Sequence, residues 1–314
     1  MAGNTTSKTA PIGVTSGRRE GLFQWWRKLY LRSEGVRGYS LLSPTLVLMA
    51  LSIGAPLILL IVASFWTQHL LEITPGFVFD NYITFAEKPH FQNLLWRSIK
   101  ISAFVTFLTV LLAYPMAYFI AFRVKKHKLM WLILITVPFW TSYLLRVFAW
   151  KIILGYNGVI NSGLGTLGWI DAPLEFLLYN QFAVVVTLAH AWAAFAILPI
   201  YVSLEKIDRS LLEAATDLGD GPAMRFYRIT LPLSMAGVVA ASLLVFIPTV
   251  GDYITPALLG GPKGLMIGNL IQLQFAKSNN WPLGAALSVI SLLGITLVVC
   301  VFLWFTKRVR TQQL

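Results

Sequence analysis

Charge is what this chain has least of. Only 12% of its 314 residues are Asp, Glu, Lys or Arg, whereas 57% are hydrophobic and the mean hydropathy is +0.70. A soluble globular domain carries roughly 25% charged residues, so the chain is not built to face water over most of its surface. Cysteine is almost absent: Cys300 alone excludes an intramolecular disulfide and a cysteine metal site. Its apolar surroundings suit a small packing residue. The four histidines, His69, His90, His127 and His190, are scattered and form no zinc-spaced pair. No G-x-x-x-x-G-K-[S/T] stretch occurs, so the chain holds no phosphate loop for ATP. No nucleophile–base constellation supports an intramembrane hydrolase.

What the chain does have is long intervals without formal charge. These lie between Arg37 and Glu72, Lys100 and Arg123, Lys128 and Arg146, Glu175 and Glu205, Arg228 and Asp252, and Lys277 and Lys307. A spanning helix needs about 20 mostly apolar residues, which places six spans near 41–66, 94–122, 129–150, 182–204, 227–250 and 285–306. The interval between Lys151 and Asp171 is also uncharged, but it reads "IILGYNGVINSGLGTLGWI" and is dense in glycine. Backbone in lipid must satisfy its own hydrogen bonds, so this stretch is expected outside the membrane, with short helical turns.

Basic residues set the expected orientation. Eighteen of the 25 Lys and Arg fall in the N-terminal segment, the 2–3 loop, the 4–5 loop and the tail, all on one side. Both termini are therefore expected to be cytoplasmic. The same asymmetry accounts for the net charge of +12 without nucleic acid. The first 37 residues lack the continuous apolar core of a cleaved signal peptide. Residues 1–20 read as disordered, and "GLFQWWRKLYLR" (21–32) as a helix at the headgroup level. The organisation expected is a basic segment over 1–40, a transmembrane domain over 41–306 with a polar loop at 205–226, and a tail at 307–314.

That loop, between the fourth and fifth spans, contains "EAATDLGDGPAMRFYRITLP" (213–232). Ser210 and Glu213 have the spacing of a capping box, Gly219 is placed as a left-handed terminator, and Pro222 suits the first turn of a following helix. A helix of about two turns results, with Leu211, Leu212 and Leu218 on an apolar edge and an alanine pair as a close-approach face. So short a helix is marginal alone in water and needs a surface to dock on.

The stretch resembles the "EAA" loop of ATP-binding-cassette importer permeases: E-A-A, three residues, G, nine residues, I, one residue, L-P. Here these are Glu213, Ala214, Ala215, Gly219, Ile229, Leu231 and Pro232. "VPFWTSYLLRVFAWKIILGYNGVINSGL" (137–164) and "PTVGDYITPALLGGPKGLMIGNLIQLQFAKSNNWPLGAALS" (248–288) look like the B-type permease of spermidine/putrescine importers, and the likeness extends over about residues 40–306. The resemblance implies an all-α, six-span type I importer fold in a bacterial inner membrane, working by alternating access. It implies a cytoplasmic ATPase dimer carrying the ATP and Mg, a second permease subunit that is by family habit a C-type paralogue, and a periplasmic solute-binding protein. The loop would then be the coupling helix. The chain itself would bind no cofactor or metal and catalyse nothing.

If the solute is a polyamine, Asp252 is the natural carboxylate to meet an ammonium group; otherwise it pairs with Arg146 or Lys151, or is an exposed loop acid. Ionisable residues within spans usually face protein or a water-filled path. Arg146 would repel a polycation, so it is either structural or a sign of an anionic or zwitterionic solute such as an opine. Phe139, Trp140, Tyr143 and Tyr253 offer cation–π faces to an alkylammonium, or are packing and belt residues. His190 either lines the path or packs. Pro115, Pro138, Pro199, Pro232 and Pro248 are positioned to kink or border spans, and the glycines and prolines of 251–264 suggest a re-entrant or loop structure. The rival class is a secondary carrier or channel, which needs no coupling helix.

Overall fold

The computed structural model describes residues 34–70 and 72–311. The expected disorder of 1–20 and the interfacial helix at 21–32 lie outside the described residues. The chain divides into two compact units at Leu59/Leu60. Among the described residues, the first holds the helix α1, Glu34–Ala63, up to that boundary.

The second unit begins with the end of α1 and a two-stranded antiparallel hairpin, β1 (Thr67–His69) and β2 (Glu72–Thr74), in register Gln68↔Ile73. Helices α2 (Asp80–Glu87) and α3 (Pro89–Tyr118) follow, and α3 runs on through a π-helical turn, Phe119–Arg123. Next come α4 (Lys128–Thr136), α5 (Tyr143–Leu154), α6 (Val159–Thr166), α7 (Gln181–Ala191) and α8 (Ala193–Glu205). The polar loop holds α9 (Arg209–Asp217) and α10 (Pro222–Arg225), and a second π-helical turn, Phe226–Thr230, leads into α11 (Leu231–Val250). The chain closes with α12 (Gly261–Gly264), α13 (Ile267–Ala276) and α14 (Trp281–Thr311).

Among the described residues, five stretches are long and apolar enough to cross a membrane: Gly38–Ala63, Pro89–Arg123, Tyr143–Thr166, Pro222–Val250 and Trp281–Arg308. The pair α7–α8, bent by 46°, supplies a sixth. The span expected at 129–150 is not one helix. The chain leaves α4 through a 3-10 turn at Val137–Trp140 and passes two extended residues, Thr141 and Ser142, before α5. Pro138 explains the break, since it removes a backbone donor where the ladder would continue. Beyond α5 the glycine-dense stretch forms the eight-residue α6 after a break at Gly155–Gly158. Its short helix agrees with the expected turns, although α5 and α6 together meet the length and apolarity of a span.

The core lies where α3, α8 and α11 pack. The buried face of α3 carries a run of small residues, including Ser102, Thr106, Thr109, Ala113 and Ala117. Without a hydrophobic drive between helices in lipid, small residues permit close backbone approach and dispersion contact. Thr106 and Thr109 donate to the carbonyls of Ser102 and Val105, each at 2.7 Å, so their hydroxyls are satisfied inside the same helix. The buried apolar cluster joins Val105 and Ala117 to Leu188, Ile197, Ile200, Leu204, Ala241 and Val245.

Candidate coupling loop and solute-facing cluster

The polar loop folds much as its punctuation dictates, with one correction. The N-cap of α9 is Asp208, whose Oδ1 accepts the Ser210 N–H at 2.9 Å; Ser210 lies inside the helix, and the Ser210/Glu213 box does not cap it. Aspartate is as good a cap as serine, and it stands one position before the first helical residue. At the other end Gly219 adopts φ +88°. Its N–H bonds the Thr216 carbonyl and the Asp220 N–H bonds the Ala215 carbonyl, both at 2.9 Å, which is a Schellman closure. Pro222 starts α10 as expected.

Side chains fasten the loop. Arg225 donates to Thr216 Oγ1 at 2.6 Å, and Arg228 pairs with Asp220 at 3.1 Å. Ala215 is buried, whereas Glu213, Ala214, Leu211 (47% exposed) and Leu218 (87% exposed) face outward. Ile229, Leu231 and Pro232 are half-buried at the entry to α11. The loop thus presents a rigid helix with an uncovered apolar edge.

The Asp208 cap carries a prediction. The Ser210 backbone N–H, with its side chain second, holds the Asp208 carboxyl below the usual carboxylate range. A depressed folded value means that the capping contribution is present above the ordinary carboxylate pKa and is lost only as pH falls through the lowered one. At neutral pH the cap is complete. Asp208→Ala is expected to reduce solute uptake in reconstituted vesicles, and Asp208→Asn to leave it near the wild-type rate, because asparagine caps without charge.

At the opposite end of the bundle, four of the six expected pathway residues meet. Tyr143 of α5 donates its hydroxyl proton to Asp252 Oδ2, and the Tyr143 and Thr255 hydroxyls lie 2.6 Å apart. Asp252 is buried at 8% exposure, and its Oδ1 accepts the Ile254 N–H at 2.9 Å. Among the described residues it forms no ion pair with Arg146 or Lys151. Each carboxylate oxygen retains acceptor capacity.

Arg146 is held differently. Its guanidinium lies over the rings of Phe139, at 5.1 Å, and Tyr143, at 5.9 Å, and Nη1 donates to the Ala191 carbonyl at 3.3 Å. One helical turn further along α5, Trp150 Nε1 donates to His190 Nδ1 at 3.1 Å. Both donors reach the last two residues of α7, where the fourth span bends and the helical ladder is interrupted. His190 also stacks on Phe139 at 5.8 Å. Trp192, at the bend, lies 6.3 Å from the Tyr143 ring. Arg146 Nε, Trp192 Nε1 and Thr187 Oγ1 are buried without a protein partner.

Two expected residues stand elsewhere. Trp140 is 79% exposed, and Tyr253 faces a separate cavity of about 330 Å³ beside Gln272 and Phe275. Trp150, Trp192 and Thr255 join the cluster without having been singled out in the sequence. The available signal was a tryptophan beside the one histidine inside a span, "AHAW". A larger cavity of about 640 Å³ lies between α3, α11 and α14, but no charged side chain lines it.

With this geometry in place, comparison with known proteins is specific. The model of the family described as "Binding-protein-dependent transport system inner membrane component" matches residues 44–311. The chain is 37% identical over 229 residues to the spermidine/putrescine transport system permease protein PotB of Haemophilus influenzae, covering 73% of this chain and 78% of that one. It is 35% identical over 266 residues to PotB of Escherichia coli K12, covering 84% and 96%. The inner membrane ABC transporter permease protein YdcU of the same strain is 31% identical over 249 residues, covering 76% and 78%. In fold, the chain is similar to a bacterial ABC transporter involved in the import of the acidic polysaccharide alginate. That likeness has a TM-score of 0.70 at 17% identity and covers 92% of this chain and 99% of that one. The chain therefore belongs to the binding-protein-dependent transport system inner membrane component family and is a permease subunit of an ABC importer.

Proposed function

We propose that this permease translocates polyamines, of the spermidine/putrescine class, with both termini on the cytoplasmic side. The observation that carries the solute class is the 35% identity to PotB over 84% of the chain. In this reading α9 seats on a cytoplasmic ATPase dimer, which holds the ATP and Mg, through the uncovered edge of Leu211 and Leu218, with Glu213 on the opposite face of the helix. A second permease subunit, a C-type paralogue, completes the pathway, and a periplasmic solute-binding protein delivers the solute to the Asp252 end.

The far-end cluster supports a division of labour. Asp252 is the carboxylate that would meet an alkylammonium, whereas the rings of Phe139 and Tyr143 already face the Arg146 guanidinium and would serve the solute only where Arg146 withdraws. Arg146 faces two rings and a helix-end carbonyl, which suits a brace of the bent fourth span and removes the conflict between this cation and a cationic solute. Trp140 and Tyr253 are proposed as further pathway residues outside this cluster.

The test is ATPase activity of the reconstituted complex with its binding protein, titrated with putrescine, spermidine and an opine. Stimulation by the polyamines alone is expected, and Asp252→Asn is expected to lower that stimulation about tenfold, a loss of ~1.4 kcal/mol. Stimulation by the opine alone would discard the polyamine and reassign Arg146 to the path.

A further inference from the structure

The carbonyl of Ala121 receives two cations from two different elements. It lies in the π-helical turn that ends the α3 span, where Val124 N–H reaches back five residues to the Phe119 carbonyl at 3.2 Å. The last carbonyls of a helix have no partner within it, and basic side chains commonly satisfy them. Here Lys128 Nζ donates to Ala121 O at 2.9 Å, and Arg209 Nη2 donates to it at 3.4 Å. Lys128 also lies 2.8 Å from both carboxylate oxygens of Glu205.

Each of these residues marks the start or end of an element. Lys128 is the first residue of α4, Glu205 the last of α8, and Arg209 the first of the coupling helix α9. Only three residues join α8 to α9, and the middle one, Ile207, is buried in the cluster that also holds Ala117, Ala121 and Leu204. The coupling helix is therefore tied at its base, by side chains and by a buried anchor, to the ends of α3, α4 and α8.

We infer that Lys128, Glu205 and Arg209, meeting at the Ala121 carbonyl, are positioning residues that pass displacement of the coupling helix to three transmembrane elements. This rests on the reading of α9 as the ATPase-docking helix. The competing account is an exposed ion pair of little consequence, since such pairs contribute little on average. The two accounts differ in what they do to coupling, meaning solute moved per ATP hydrolysed, rather than to assembly.

The test compares wild type, Lys128→Met, Glu205→Ala, the double variant and Lys128→Arg in the complete reconstituted transporter. ATPase co-purification, ATP hydrolysis and solute uptake are read for each. The expected result is unchanged co-purification and ATP hydrolysis, with solute moved per ATP falling about tenfold in each single variant, within the range of coupling between sites. The double variant is expected to be no worse than either single, as for residues acting as one unit, and Lys128→Arg to recover most of the loss. An unchanged ratio in the single variants, or losses that multiply in the double, would overturn the inference while leaving the docking reading intact. A wild-type chain that does not retain the ATPase would overturn both.

Discussion

Gly237→Val is expected to remove most of the folded protein from the membrane. Gly237 lies on α11 where it crosses α8, and a Cβ built there sits 2.5 Å from the Pro199 carbonyl oxygen and 2.5 Å from Ser203 Cβ. The Ile200 Cα is 3.1 Å away. These are mostly backbone atoms in the best-packed part of the bundle, so no flexible side chain can swing aside. Inserting methyl groups into a close-packed core costs about 1–3 kcal/mol, and more where the backbone must move. Each ~1.4 kcal/mol is a tenfold change in an equilibrium constant, and native proteins have little stability to spare. The measurement is the yield of monodisperse detergent-solubilised protein by size exclusion. The yield is expected to fall about tenfold or more, while Gly163→Val, where a Cβ meets nothing within 4 Å, stays near wild type.

Gly219→Val is expected to leave that yield unchanged and to abolish most transport. A Cβ at Gly219 meets no atom within 4 Å, so the substitution creates no clash. The cost is conformational: φ is +88°, where L-residues are strained by about 1–2 kcal/mol and β-branched ones fare worst. The Schellman bonds from Gly219 and Asp220 to the Thr216 and Ala215 carbonyls would open, and with them the end of α9 that orients Leu218. Uptake is expected to fall about tenfold. Gly219→Asn, which tolerates left-handed backbone, is expected to retain most of it. Equal losses for valine and asparagine would mean that the position acts by contact and not by conformation.

These two glycines show where the sequence was informative. Gly219 was legible because its meaning is local: the helix Arg209–Asp217, a terminator at Gly219 and a proline at Pro222 follow one another directly. Gly237 carries no such sign, since its need for a bare Cα comes from Pro199 and Ser203, more than thirty residues away. The apolar intervals located most spans, because hydrogen-bond closure in lipid leaves only a helix as the solution. They did not reveal that the stretch at 129–150 breaks, because the interval is continuously apolar; only Pro138, expected to kink or border a span, marks the place. The bend at Trp192 has no proline or glycine at the break. It coincides with donors from Arg146 and Trp150 that only the folded chain brings near. Asp208 and Ser210 both carry capping side chains, and the spacing of Ser210 to Glu213 favours the serine on sequence alone, whereas the bond from the Ser210 N–H to Asp208 Oδ1 exists only in the fold. Asp252 and Arg146 were visible as ionisable groups at span ends, but their partners, Tyr143 for one and aromatic faces for the other, are tertiary facts.

The most direct test of the account is uptake of labelled spermidine into vesicles carrying the full transporter. ATP or a non-hydrolysable analogue would be supplied on the ATPase side, with the binding protein on the other. The account predicts accumulation with ATP, none with the analogue, and none when the ATPase subunit or the binding protein is omitted. Accumulation that persists without ATP hydrolysis would contradict a coupled importer and make the chain a carrier or channel.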